Sequence, residues 1–134
     1  MNSLINIIIV DDNPAFLDGL ASLITSESNF NLLARFTSGS ELFRYPDLRK
    51  ADLILMDIEM PGLSGIETAI RVNFRYPNIQ MIAITMYQDA IYLQQLVESG
   101  FMGFVGKNEV AEKLFSVIKT VHERKFTFPH DMRI

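Results

Sequence analysis

Five short apolar runs, at residues 4–10, 30–36, 53–56, 79–84 and 102–105, punctuate the chain and are rich in Ile, Val, Leu or Phe. Most are too short for a buried helix, and their residue types suit strands. The segments between them carry helical spacing instead. Phe16, Leu20, Leu23 and Ile24 share one helical face, as do Val110, Leu114, Val117, Ile118 and Val121. The pattern is a strand followed by a helix, repeated five times.

Local signals place the helix starts just after strands. Pro14 suits a first helical position behind Asn13, and Ser38 with Glu41 and Ser64 with Glu67 both fit the Ser-x-x-Glu capping box. Met60-Pro61-Gly62-Leu63 reads as a tight turn, with Pro fixing φ at its second position and Gly accepting positive φ at its third. Near-continuous apolar strands alternating with helices predict a parallel sheet covered on both faces. Five such units suit the doubly wound, flavodoxin-like α/β fold with strand order 2-1-3-4-5. In that fold a ligand binds outside the carboxyl ends of the strands, where the winding reverses between the first and third.

With 134 residues, 49% of them hydrophobic, the chain is long enough for one self-sufficient core. We read residues 1–124 as that domain. Residues 125–134 (KFTFPHDMRI) follow the last helical pattern and read either as a short extended tail or as the start of a linker. A formal charge of −4 argues against gripping nucleic acid through phosphate neutralisation. The absence of Cys removes disulfides, thiolate zinc sites and thiol nucleophiles. No apolar stretch approaches the ~20 residues that span a bilayer, and the N-terminus lacks the pattern of a secretory signal. The expectation is a soluble cytoplasmic protein with no membrane or nucleic-acid partner.

Asp11 and Asp12 end the first strand and Asp57 the third, so the proposed order brings three carboxylates to one edge of the sheet. Clustered like charges are destabilising without compensation. An oxygen-only donor set favours a hard cation such as Mg²⁺, which combines one or two carboxylates with phosphate oxygens. Each aspartate taken alone is equally a helix N-cap, so the signal lies in their convergence. Lys107 follows the fifth strand and brings an ammonium to the same edge, where it pairs a carboxylate and then a phosphoryl oxygen; a lone Lys there would be an ordinary solvated residue. Thr85 ends the fourth strand, with a hydroxyl able to donate into the site. Nucleotide motifs fail. A P-loop ending at Lys107 would need Gly at Phe101 and Ser or Thr at Asn108, and no GxGxxG turn follows the first strand. His122 and His130 lack companions at metal spacing and are expected at the surface.

Asp11-Asp12, Met56-Asp57-Ile58-Glu59-Met60-Pro61-Gly62, Thr85 and Lys107, in this order on five strand–helix units, resemble the response-regulator receiver domains of two-component signalling (CheY-like) over residues 4–124. The resemblance implies that Asp57 is the phosphoacceptor, taking a phosphoryl group from a phosphohistidine of a sensor histidine kinase. It implies Mg²⁺ bound directly by Asp12, Asp57 and the main-chain carbonyl of Glu59, and through water by Asp11. Lys107 would stabilise the phosphoryl oxygens. Thr85 and the aromatic Phe104 would act as the switch, coupling the site to the face built from the fourth helix, fifth strand and fifth helix. Such a domain is not an enzyme in the usual sense, since it catalyses only its own phosphotransfer and dephosphorylation.

The chain departs from the family pattern at Phe104, where many members have Tyr, at Asn108, where many have Pro, and at Phe101, where Ala is frequent. The first strand, the Asp57 loop and residues 124–129 look most like receivers that precede a LuxR-type helix-turn-helix output domain. Phosphorylation would then control an output domain or downstream partner, often through a homodimer. Two other readings compete. One is an unphosphorylated interaction module with the same fold; the other is a Mg²⁺-dependent nuclease built on Asp57 and Glu59, which leaves Thr85 and Lys107 unexplained. Ile91, Tyr92 and Leu93 are consecutive on the fourth helix, so at least one must face outward or toward a partner.

Overall fold

The computed structural model describes residues 4–129. Its elements run β1 (Ile5–Val10), α1 (Pro14–Thr25), β2 (Phe30–Phe36), α2 (Gly39–Phe43), β3 (Leu53–Asp57), α3 (Gly65–Arg75), β4 (Gln80–Thr85), α4 (Ala90–Glu98), β5 (Gly103–Gly106) and α5 (Val110–His122). Single 3-10 turns occupy Leu48–Lys50 and Lys107–Glu109. The strands pair in parallel in the order β2-β1-β3-β4-β5, as the alternation of apolar runs and helices predicts.

Successive strand side chains point to opposite faces, and the central strands are apolar on both, so two cores form. Ile8, Val10, Ile54, Met56, Met81 and Ala83 face the layer that includes α3 and α4. Ile7, Ile9, Leu53, Leu55, Ile82, Ile84 and Val105 face α1 and α5, which contribute Leu17, Leu20, Ile24, Leu114, Ile118 and Val121. Phe101 is 1% exposed and belongs to the first core. Of the fourth-helix trio, Leu93 is buried, Tyr92 half-buried and Ile91 exposed.

The helix starts have the chemistry their residues predict. Asn13 caps α1 by accepting from the N–H groups of Ala15 and Phe16, with Pro14 in the first turn. Ser38 and Ser64 each accept from the N–H three residues on, at Glu41 and Glu67. The Glu41 carboxylate reaches one residue further back than a standard capping box and accepts from the N–H and hydroxyl of Thr37. Gly62 has φ of 77°, as the turn after β3 requires. At Gly65 a Cβ would overlap the Asp57 carbonyl oxygen, so only Gly lets α3 start this close to the end of β3.

Candidate functional site

Strand direction carries the site. Because β1 and β3 are adjacent and parallel, the residues at their carboxyl ends are brought together although far apart in sequence. One carboxylate oxygen from each of Asp11, Asp12 and Asp57 lies within 4.8 Å of the others. Asp11 is fully buried, Asp57 is 2% exposed and Asp12 faces outward. The capping question for Asp11 is answered by Asn13, which takes that role. Asp11 instead accepts the Asn13 N–H at 2.8 Å, which orients its carboxylate toward the cluster.

Lys107, in the turn after β5, reaches both buried acids, with its Nζ 3.3 Å from Asp57 Oδ1 and 3.4 Å from Asp11 Oδ2. The same ammonium lies 4.9 Å from the centre of the Phe16 ring, within cation–π range. Phe16 was legible only as part of a helical apolar stripe. Its place on α1 beside the turn after β5 makes it a floor under the lysine.

The electrostatics follow from crowding three acids against one base. Burial, reinforced by the charge of Asp11, pushes the Asp57 carboxyl up to about 7 despite Lys107. Burial also raises Asp11, against the pull of the Asn13 N–H and Lys107. Burial alone would lower Lys107, but the charges of Asp57 and Asp11 outweigh it and hold its ammonium above the ordinary range. Asp11 Oδ2 and Asp57 Oδ2 are buried and accept no hydrogen bond. Among the described residues Asp57 Oδ2 thus lacks any partner and Asp11 Oδ2 has only the Lys107 ammonium at 3.4 Å; beside a third acid, with no His or Cys in the cluster, these oxygens fit a hard divalent cation.

Thr85 stands at the end of β4 and is buried. Its hydroxyl is not directed into the acidic cluster as the sequence led us to expect. It donates to the Tyr87 carbonyl at 3.2 Å and accepts the Tyr87 N–H at 3.0 Å, a local turn that Thr and Ser form readily. Tyr92 of α4, not singled out by sequence as a site residue, sits beside Thr85 and stacks edge-on with Tyr87 at 5.6 Å; burial holds its hydroxyl above the usual tyrosine range. Glu59 is exposed in the loop after β3. Phe104 is half-buried in β5, and its ring lies 5.2 Å from that of Phe128.

Phe128 belongs to residues 125–129, which turn back along β5. Arg124 adopts a φ of 65°, the Lys125 N–H bonds the Thr120 carbonyl, and the Arg124 N–H bonds the Val121 carbonyl, a Schellman closure of α5. The Thr127 N–H then bonds the Met102 carbonyl at 3.0 Å, and Phe128 is 5% exposed against the first core. His122 is exposed; His130 and the rest of the tail, residues 130–134, lie outside the described residues. Among the described residues no helix is long and apolar enough to cross a membrane.

Comparison with known proteins agrees with this geometry. The model of the response regulator receiver domain matches residues 7–119. The transcriptional regulatory protein LnrK of Bacillus subtilis (strain 168) is 28% identical over 129 residues, covering 96% of this chain and 59% of LnrK. DegU of Brevibacillus brevis is 28% identical over 117 residues, covering 87% and 50%. The chain thus spans between half and three fifths of the length of these relatives. Among solved structures, a LuxR-family two-component response regulator from Aurantimonas sp. SI85-9A1 superposes with a TM-score of 0.87 at 24% identity, covering 97% of this chain and 93% of that one. The isolated receiver domain of RcsB from Salmonella enterica serovar Typhimurium gives 0.84 at 23% identity over 97% and 96%. The sequence match, the strand order and the acidic cluster agree, and the chain belongs to the response regulator receiver domain family.

Proposed function

We propose that this chain is a phosphorylation switch in which Asp57 accepts a phosphoryl group. The observation that carries the reading is the triangle of buried Asp57 and Asp11 with Lys107, in which the Asp57 carboxylate lies 3.3 Å from the ammonium. An Asp57 carboxylate oxygen forms a bond to phosphorus, and the bond from phosphorus to the imidazole nitrogen of a phosphohistidine breaks. The electron pair leaves on that nitrogen. Lys107 meets the phosphoryl oxygens, and because it is already fixed between two acids it needs little reorganisation to do so.

Asp11, Asp12 and Asp57, with the Glu59 main-chain carbonyl, would hold Mg²⁺, which offsets the clustered negative charge and binds phosphoryl oxygens. The donor is a sensor histidine kinase. The recipient of the signal is an output domain or downstream partner, reached through Thr85, Phe104 and the α4-β5-α5 face, with a homodimer as one form of the active state. Residues 1–124 are the receiver, residues 125–134 are its tail or the start of a linker, of which 125–129 fold back against β5, and the site works in the cytoplasm. Thr85 would leave its bonds with Tyr87 to reach a phosphoryl oxygen, which gives the switch a defined starting arrangement.

Intact mass after incubation with acetyl phosphate or phosphoramidate tests this. One phosphate adduct that requires Mg²⁺ and disappears in Asp57→Asn is the expected result. No adduct from either donor, in protein whose circular dichroism shows it folded, would sink the proposal in favour of an unphosphorylated interaction module.

A further inference from the structure

We propose that the groove between α2 and the C-terminal half of α3 docks an acidic amphipathic helix of a partner protein. The groove is lined by Phe43, Ile70, Arg71, Phe74 and Arg75 and has a volume of about 430 Å³. Phe74 is 90% exposed and Ile70 52%, an i,i+4 pair on the side of α3 away from the buried Ala69 and Val72. Exposed apolar residues scattered singly need no explanation, but two in register beside a third, half-buried aromatic form a contiguous patch. Helices of a parallel sheet run back from the carboxyl ends of the strands, so this end of α3 lies away from Asp57. The face is therefore independent of the acidic site.

Charge identifies the occupant. Arg71 and Arg75 are a second i,i+4 pair beside the first, both exposed, and neither forms an ion pair among the described residues. Unpaired guanidinium groups edging an apolar groove on a chain of net charge −4 match a helix with apolar anchors one turn apart and Asp or Glu beside them, each carboxylate able to take an arginine in bidentate fashion. A second copy of this chain is disfavoured, because a two-fold pairing of this face brings four arginines into one interface with no acidic residue in the groove lining to pair them. An anionic bilayer is disfavoured because Phe43, Ile70 and Phe74 surround a groove of about 430 Å³, which side chains of a docked helix fill and a bilayer surface would span.

A display library of helical peptides, selected on the wild-type chain and counter-selected on Phe74→Ala, tests the proposal. The expected peptides carry apolar residues at i and i+4 with flanking Asp or Glu. They shift backbone amide resonances of residues 43 and 70–75, and bind Phe74→Ala at least ~10-fold more weakly, a loss of about 1.4 kcal/mol. Replacing both arginines (Arg71→Glu with Arg75→Glu) should cost a similar factor and convert the preference to Lys-rich peptides. Phosphorylation of the Phe74→Ala variant by acetyl phosphate should match wild type, so failure here is separable from failure of the Asp57 reading. Any one of four results overturns the proposal: no enrichment over counter-selection, neutral or basic winners, resonance shifts confined to other faces, or Phe74-dependent binding to phosphatidylglycerol vesicles or self-association in place of peptide binding.

Discussion

The Lys107 ammonium lies 3.3 Å from the Asp57 carboxylate while also touching Asp11, so one cation serves two buried acids. Removing it leaves both without a counter-charge and deprives an incoming phosphoryl group of its preorganised partner. Lys107→Ala is expected to slow phosphorylation of Asp57 by acetyl phosphate by about 10²–10³-fold, the loss typical of one electrostatic stabiliser. The rate of adduct formation by mass spectrometry reads this directly; a loss under tenfold would show that Lys107 is a bystander.

Asp57, held up to about 7, titrates differently in the folded and unfolded chain. Its folded value lies above its unfolded one, so its contribution to stability is full below the unfolded value of about 4 and is lost as pH rises through about 7. Asp11 is raised too and acts in the same direction. Glu41 and Glu109 are lowered by hydrogen bonds, to Thr37 and to Lys113 respectively, and act in the opposite sense, but only near and below the ordinary Glu range. Between pH 6 and 8 the acidic site therefore dominates these groups. In EDTA the melting temperature should fall across this interval, and millimolar Mg²⁺ should raise it more at pH 8 than at pH 6. An equal Mg²⁺ effect at both would argue against binding at Asp57.

Much of this site was legible because parallel topology does the assembling. Once the apolar runs are read as strands in the order 2-1-3-4-5, Asp11, Asp12, Asp57, Thr85 and Lys107 must all end at one edge, whatever their separation in sequence. The direction of the Thr85 hydroxyl was not legible. Residue type does not distinguish a bond to the Tyr87 backbone from one into the site, since both need only a rotamer change. Phe16 and Tyr92 looked like apolar helix positions because helical periodicity reports a face, not which residue at its end meets the neighbouring loop. The reversal after α5 was hidden for another reason: a left-handed residue there normally calls for Gly or Asn, and this chain has Arg124.

Asp57→Asn removes the charge that Asp11 and burial oppose while keeping the side-chain shape. In metal-free buffer at pH 8 the substitution is expected to stabilise the fold by about 1–3 kcal/mol, the range for relieving a buried group whose polar demand is unmet. Urea unfolding followed by circular dichroism, compared with and without Mg²⁺, decides it. The gain should vanish or reverse with Mg²⁺ present, because the variant gives up a metal ligand. A variant less stable than wild type in EDTA would mean that Lys107 already compensates Asp57 fully.

Phe128 tests whether residues 125–129 are part of the folded unit. It is 5% exposed, its ring lies 5.2 Å from Phe104 and 5.0 Å from Phe126, and the preceding Thr127 N–H ties the segment to the Met102 carbonyl beside β5. A buried Phe cut to Ala typically costs 3–5 kcal/mol. Because its burial rests on a short segment outside the helices and strands, which can undock locally, the expected loss is about 2–3 kcal/mol at the urea midpoint. Phe128→Leu should recover most of it, since Leu refills the apolar space without the ring contacts. If the segment were instead a solvated linker, either substitution would stay within about 0.5 kcal/mol of wild type. Hydrogen exchange gives a second reading, because only a docked segment protects the Thr127 amide, and Phe128→Ala should release it together with the edge of β5.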